Sequence, residues 1–242
     1  MSRRHDALTT HTGGVTMRAI LRVAVLLNAL STLAGCDSPP SFPRSSPTVV
    51  FRTDTTATAY FDTPRNWGDT VWLEYLTDIL RAMHEPPLRH ATIDSETTVL
   101  RFLWSRAFHP SVAVQVTRAP AGCRVVTTVR ENDGWTIPTL DSGASRLVRG
   151  RMLRHDTVTV DRSTCDDLAA RLAGLGLTST GPYITSRGCD GADWTFERLD
   201  ARGHALLVRW SPDSADAPAI WNAGMAFLSA ANARPTSPRE MY

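Results

Sequence analysis

An apolar run near the start of the chain limits how much of the sequence can belong to a folded domain. Residues 23–33 are largely apolar, two arginines precede them, and the small-small-Cys triplet at 34–36 ends them. The run is too short to span a bilayer comfortably as a permanent helix. Residues 37–48 are rich in Pro and Ser, which is typical of a solvated tether. The folded domain is therefore expected only after about residue 48.

The residues Leu33-Ala34-Gly35-Cys36 resemble the lipobox of bacterial lipoproteins, in which a leader peptidase cuts before the cysteine. The resemblance implies a diacylglyceryl thioether on Cys36, commonly with an acyl chain such as palmitate on the new amino terminus. Residues 1–35 are then a lipoprotein signal peptide, with Met17 as an alternative start, and residues 36–48 a lipidated tether. Two or three acyl chains anchor a protein effectively permanently. The resemblance thus predicts an extracytoplasmic protein on a bacterial membrane, with inner and outer membrane both open.

The charge of the chain argues against a general affinity for nucleic acid. All 26 basic residues are arginine, and there are 24 acidic residues. Four arginines and one acid fall within residues 1–35, so the rest of the chain carries 22 arginines against 23 acids. A domain this close to neutral has no overall field that attracts a polyanion. The expected partners are therefore the membrane, through the anchor, and an envelope protein, and no nucleic acid.

Hydrophobic periodicity in residues 49–231 predicts a single α+β domain. Apolar residues recur every three or four positions from Val71 to Met83, as in an amphipathic helix. A capping pattern at Ser163 opens a short middle helix, and Pro218 begins a final one. Strands are predicted at 99–106, 111–118, 124–130, 146–160 with a bend at Gly150, 192–199 and 204–210. The expected fold is an antiparallel sheet of about five to six strands, packed by an N-terminal, a middle and a C-terminal helix. Residues 232–242 are expected to form a flexible tail.

Alternation within the first two strands also predicts how they are buried. In the first strand apolar Leu100, Phe102 and Trp104 alternate with Arg101, Leu103 and Ser105. In the second strand, valines alternate with small or polar residues. This period of two is typical of strands that bury one face and expose the other. We therefore expect the odd-numbered residues of the first strand to lie on the exposed face.

The cysteines predict one disulfide. With Cys36 lipidated, three cysteines remain, and an exported chain meets oxidising conditions. Cys165 opens the middle helix and Cys189 precedes the next strand, so the return loop can bring these two together. The predicted bond is therefore Cys165–Cys189, with Cys123 reduced and facing the core, and a bond to Cys123 is the alternative. Three cysteines without paired CxxC motifs or nearby histidines make a poor zinc site, so neither a metal nor a cofactor is expected.

One acidic stretch and a nearby histidine supply the weak candidates for catalysis, which are Asp190, Asp193, Glu197 and His204. Carboxylates beside an imidazole can carry out acid-base hydrolysis or hold a divalent cation. Asp193 and Glu197 share one face of a predicted strand but lie roughly 13 Å apart, too far to share a proton or one ion. The simpler interpretation pairs Glu197 with a cross-strand arginine such as Arg209. No catalytic pair is therefore expected, and Asp193→Asn and Glu197→Gln should fold normally.

Two segments resemble parts of uncharacterised bacterial secreted proteins and lipoproteins, namely RFLWSRAFHPSVAVQV, and GCDGADWTFE with VRWSP. That resemblance implies a folded domain within about residues 70–230 and carries no activity. The sequence contains no Gly-x-Ser-x-Gly, HExxH, P-loop or Rossmann motif. The favoured hypothesis is a non-catalytic envelope binding or assembly component. The alternative is a membrane-anchored hydrolase that uses the acids of residues 190–197 and His204.

Overall fold

Three helices and six strands make up the part of the chain that the structure describes. The structure is a computed structural model, and it describes residue 60 and residues 67–131, 150–177 and 191–235. The elements, in chain order, are α1 (Trp67–Ala82), β1 (Thr98–Arg106), β2 (Ser111–Ala119), β3 (Gly122–Arg130), β4 (Met152–Val160), α2 (Arg162–Ala173), β5 (Ala192–Asp200), β6 (Gly203–Trp210) and α3 (Pro218–Ala230). Cys36, the predicted tether and the first residues of the strand predicted at 146–160 lie outside the described residues.

The six strands form one antiparallel sheet in the order β4-β3-β2-β1-β5-β6. Strands β1 to β4 follow each other as neighbours, and the β5–β6 hairpin then returns to the free side of β1. The central strand β1 therefore pairs with β2 through Thr98↔Arg118 and with β5 through Val99↔Leu199. These pairings confirm the predicted α+β class and the predicted antiparallel sheet, which has six strands where about five to six were expected.

One face of the sheet is covered by α2 and α3, and we call it the helix-pair face. Its central side chains are aromatic and aliphatic, and the rings of Phe102 and Phe196 stack with their centroids 4.8 Å apart. Trp194 stacks on Trp221 of α3 at 5.6 Å. A Cβ atom at Gly224 would collide with the ring of Trp194, so glycine lets α3 approach the sheet closely. This layer is the larger part of the apolar core.

The opposite face is covered by α1, and we call it the single-helix face. The buried stripe of α1 packs on apolar residues of β1, β2 and β6, which are Leu103, Ala113, Leu206 and Val208. Arg101 and Ser105 on this face of β1 are 0% and 2% exposed. The prediction that the first two strands expose one face is therefore wrong. The reason is that α1 and the chain after it cover the face that polar residues mark as solvent-facing.

A disulfide ties the helix-pair face together, and its partners differ from the predicted ones. Cys123 at the start of β3 is bonded to Cys165 in the first turn of α2, with Cα atoms 6.2 Å apart. The predicted Cys165–Cys189 bond is therefore wrong, and Cys189 itself lies outside the described residues. Cys123 does face the core, at 2% exposure, but it is not reduced. Because α2 packs across β2 and β3, Cys165 is held directly over the strand that carries Cys123. A buried disulfide is typical of proteins that fold outside the reducing cytoplasm.

Candidate functional site

A layer of buried charges on the single-helix face contains two of the predicted site residues. Arg101 on β1 and Glu197 on β5 are directly opposite each other in the strand register, and both are 0% exposed. Arg101 Nε donates to Glu197 Oε2 at 2.6 Å, and Arg101 Nη1 donates to the carbonyl oxygen of Pro86 at 2.6 Å. The guanidinium therefore joins the centre of the sheet to the chain that follows α1.

The second carboxylate oxygen of Glu197 contacts the other predicted residue. His204 Nε2 on β6 lies 3.0 Å from Glu197 Oε1. Burial alone would raise the pKa of Glu197, but the charge of Arg101 and the hydrogen bond from His204 outweigh it and hold the pKa below its ordinary value. The carboxylate of Glu197 is thus kept ionised by its partners, as a buried charge must be.

The residues that follow α1 form a strap, residues 83–88, on the single-helix face. Arg101 of β1 donates to the carbonyl of Pro86 within the strap, and Tyr60 Oη donates to the carbonyl of Glu85 at 3.1 Å. Just before the strap, Arg130 Nη1 of β3 donates to the carbonyl of Ala82, the last residue of α1, at 2.9 Å. Glu85 itself is only 5% exposed. The strap therefore buries a carboxyl group against the sheet.

Burial raises the pKa of Glu85 above its ordinary value, although the charge of Arg101 acts in the opposite direction. Arg101 is shared between two buried acids, and Glu197 holds it directly through one hydrogen bond and an ion pair. Glu85 instead contacts the hydroxyl of Thr128, at 2.9 Å. Two buried carboxyl groups with pKa values displaced in opposite directions are a pattern found in acid-base sites as well as in structural networks.

Thr128 extends this contact to the surface. Its Oγ1 atom lies 3.0 Å from Nδ1 of His155, which is the residue opposite it on the edge strand β4. Thr128 is 0% exposed, whereas the His155 side chain is exposed. The sheet thus carries a continuous row of hydrogen-bonding groups from the buried Glu85 to solvent.

Asp193 is also fixed by a structural partner. Trp72 Nε1 of α1 donates to Asp193 Oδ1 at 3.0 Å, and Asp193 is 2% exposed. Asp193 and Glu197 lie on the same face of β5, as predicted, and each is held by its own partner from another element. Asp190 lies outside the described residues. Asp193 and Glu197 are therefore held in separate contacts and do not converge on one reaction centre.

The arginine proposed for Glu197 was the wrong one. Arg209 pairs with Trp194 in the register, so its position belongs to the helix-pair face and not to the face of Glu197. The true partner, Arg101, lies 96 residues away in sequence. Sequence reasoning also missed Glu85, Thr128 and His155. One signal was present for Arg101: Leu103 shares its face, and an apolar residue there indicates that the face is covered.

These acids form no metal centre within the described ranges. No group of three or more His, Cys, Asp or Glu side chains within residues 67–131, 150–177 and 191–235 is placed to hold a metal ion. A cleft of about 540 Å³ lies between α2 and α3, on the opposite face of the sheet, and it is lined by Ser163, Thr164, Asp167, Arg171, Ser229 and Arg234 among others. None of the four predicted catalytic residues lines that cleft.

Comparison with known proteins assigns no family. No protein-family model matches the chain, and no curated protein matches it. Among the described residues, no helix has the length and apolar character needed to cross a membrane.

Proposed function

We propose that this chain is a lipid-anchored, extracytoplasmic bacterial lipoprotein whose α+β domain binds another envelope component without catalysis. The Leu33-Ala34-Gly35-Cys36 run supports the anchor, and the buried Cys123–Cys165 bond supports maturation in an oxidising compartment. The near-balanced charge after residue 35 fits a protein partner and the anchoring membrane better than nucleic acid.

The observation that carries the non-catalytic assignment is the way in which the candidate acids are used. Glu197 neutralises Arg101 at 0% exposure, and Asp193 accepts a hydrogen bond from Trp72. A general acid or base must reach the reacting atoms of a substrate. Side chains enclosed by α1 and the strap lack that access, so their role is to join β1, β5 and the covering chain.

The anchor is tested by metabolic labelling with a fatty-acid analogue, followed by membrane fractionation and mass analysis. We expect the mature chain to begin at Cys36, to carry label and to sediment with membranes. Cys36→Ser should lose the label and accumulate as the precursor, whereas Cys189→Ser should be labelled as the wild type is. An unmodified Cys36 within a longer chain would refute the proposal.

The alternative, an anchored hydrolase, retains one specific observation in its favour, namely the 3.0 Å contact between His204 and Glu197. A carboxylate that orients an imidazole is a recurring part of hydrolytic sites. Complementation of a deletion strain separates the two functions. We expect His204→Asn to restore the phenotype of the intact gene when the variant is exported and folded. Loss of the phenotype by a variant with wild-type membrane levels would favour the hydrolase.

A further inference from the structure

We propose that Glu85, Thr128 and His155 form a proton relay, in which the protonation of the buried carboxyl decides which ring nitrogen of the exposed histidine carries the proton. The relay is made of two hydrogen bonds, Glu85 Oε1 to Thr128 Oγ1 at 2.9 Å and Thr128 Oγ1 to His155 Nδ1 at 3.0 Å. This inference does not depend on the lipid anchor or on the proposed binding role.

The hydroxyl of Thr128 couples the protonation of Glu85 to the tautomer of His155. Thr128 is 0% exposed, so its hydroxyl has no competing solvent, and a hydroxyl has one proton to donate. When Glu85 is ionised, Thr128 must donate to the carboxylate and accept from Nδ1–H of His155. When Glu85 is protonated, Glu85 donates to Thr128, and Thr128 donates to the lone pair of Nδ1.

The two arrangements give His155 opposite properties at its other nitrogen, Nε2. An ionised Glu85 leaves Nε2 with a lone pair, able to accept a hydrogen bond or to bind a cation. A protonated Glu85 leaves a proton on Nε2, able only to donate. Going from the second state to the first, Glu85 passes its proton to Thr128, Thr128 passes one to Nδ1, and Nε2 releases one to water. One proton thus leaves the protein, and no atom or charge is unaccounted for.

The surroundings make Glu85 able to occupy both states. The charged and titratable groups around it are Arg101 of β1, Glu197 of β5, His155 of β4 and the phenol of Tyr60. Arg130 of β3, two residues from Thr128, donates to the carbonyl of Ala82 at the end of α1. Burial favours the protonated carboxyl, and Arg101 favours the ionised one. Because Glu197 already engages Arg101 directly, that attraction is shared, and the pKa of Glu85 lies above its ordinary value.

The relay is tested by long-range ¹H–¹⁵N spectra of histidine-labelled mature protein in detergent, recorded over a range of pH. His155→Gln identifies the signals of His155. In the wild type, the ratio of Nδ1–H to Nε2–H forms of the neutral ring should rise with pH by about tenfold. A factor of about ten corresponds to the net free energy of one hydrogen bond. A ratio that stays constant with pH in the wild type would overturn the proposal.

Three variants make the assignment specific. Thr128→Val removes the hydroxyl at nearly constant shape, and Glu85→Gln removes the titrating group, so both should give a ratio that is independent of pH. Thr157→Val alters an exposed threonine on the same face of β4 and should behave as the wild type does. If Thr128→Val keeps the pH response of the wild type, Glu85 does not control the tautomer of His155. If Thr128→Val does not fold, the same result in Glu85→Gln leads to the same conclusion.

Discussion

The helix-pair face and the single-helix face of the same sheet are buried by different chemistry. On the helix-pair face, the strands contribute Phe102, Trp194 and Phe196, whose rings contact each other and Phe227 of α3. On the single-helix face, the same strands contribute Arg101 and Glu197 beneath α1 and the strap. Apolar contacts tolerate many partners of suitable size, whereas a buried charge requires one specific partner. The single-helix face should therefore lose more stability when one of its charged residues is replaced.

Loss of the central ion pair is expected to give the largest effect. Glu197→Gln leaves the charge of Arg101 buried without its counter-ion, which should lower the free energy of unfolding by about 3–5 kcal/mol. The sequence alone predicted that this variant folds normally, and the buried contact with Arg101 leads us to expect this loss instead. The exposed Glu96→Gln is the matched control. Urea unfolding measures both, and a loss below about 1 kcal/mol for Glu197→Gln would mean that the pair is not the centre of this face.

Replacing both charges at once sharpens the same comparison. Arg101→Met combined with Glu197→Leu should cost less than either single change, because neither member of the ion pair is left without the other. The pH dependence of the stability of the wild type follows from the lowered pKa of Glu197. A group with a lowered pKa contributes stability that is present above its ordinary pKa and is lost as the pH falls through the lower value. The acid side of the wild-type stability curve should accordingly be steeper than that of the double variant.

The disulfide gives the second largest effect, and it acts on the helix-pair face. Cys165→Ala should lower the stability of the oxidised protein by about 2–4 kcal/mol, because the unfolded chain loses a cross-link over 42 residues. Cys123→Ala, and the two changes together, should cost about the same. Non-reducing peptide mapping must join the peptides of Cys123 and Cys165. A peptide joining Cys165 to Cys189 would contradict both the pairing and this account of the face.

Tight packing on the helix-pair face predicts a smaller loss for Gly224→Ala. The added methyl group meets the ring of Trp194, so α3 must shift, at a cost of about 1–3 kcal/mol. Gly174→Ala, at the end of α2, is the matched control because its added methyl group meets only ordinary contacts. Thermal unfolding of the two variants provides the measurement. Equal melting temperatures would show that the close approach of α3 is not required.

The two faces also differ in how far they could be predicted from sequence. Alternation in β1 identified Leu100, Phe102 and Trp104 as core residues because apolar side chains report burial directly. The same alternation placed Arg101 on an exposed face, since a charged residue in a strand usually lies in water. The cross-strand register with Glu197 shows that Arg101 is buried, and sequence spacing does not contain that register. The apolar stripe of α1 was the missed indication that the second face must be covered.

The cysteines and the acids illustrate the same limit. Core-facing Cys123 was predicted correctly, but its partner depended on where α2 crosses the sheet, and the local return loop suggested Cys189 instead. The shared face of Asp193 and Glu197 followed from a period of two. Their partners, Trp72 and Arg101, come from elements about 100 residues earlier in the chain, so the local sequence pattern could not identify them.

The smallest change in stability at neutral pH is expected for Glu85→Gln. The direction in which this change varies with pH distinguishes Glu85 from Glu197. A raised pKa gives stability that is fully present below the ordinary pKa and is lost as pH rises through the higher value. Glu85→Gln cannot ionise, so it should match the wild type at acid pH and become the more stable protein as pH rises. Glu197→Gln should show the opposite trend, with its deficit largest at neutral pH and smaller in acid. Chemical unfolding at several pH values measures both, and a Glu85→Gln variant that is less stable than wild type above neutral pH would mean that Arg101 stabilises the ionised Glu85 more than burial disfavours it.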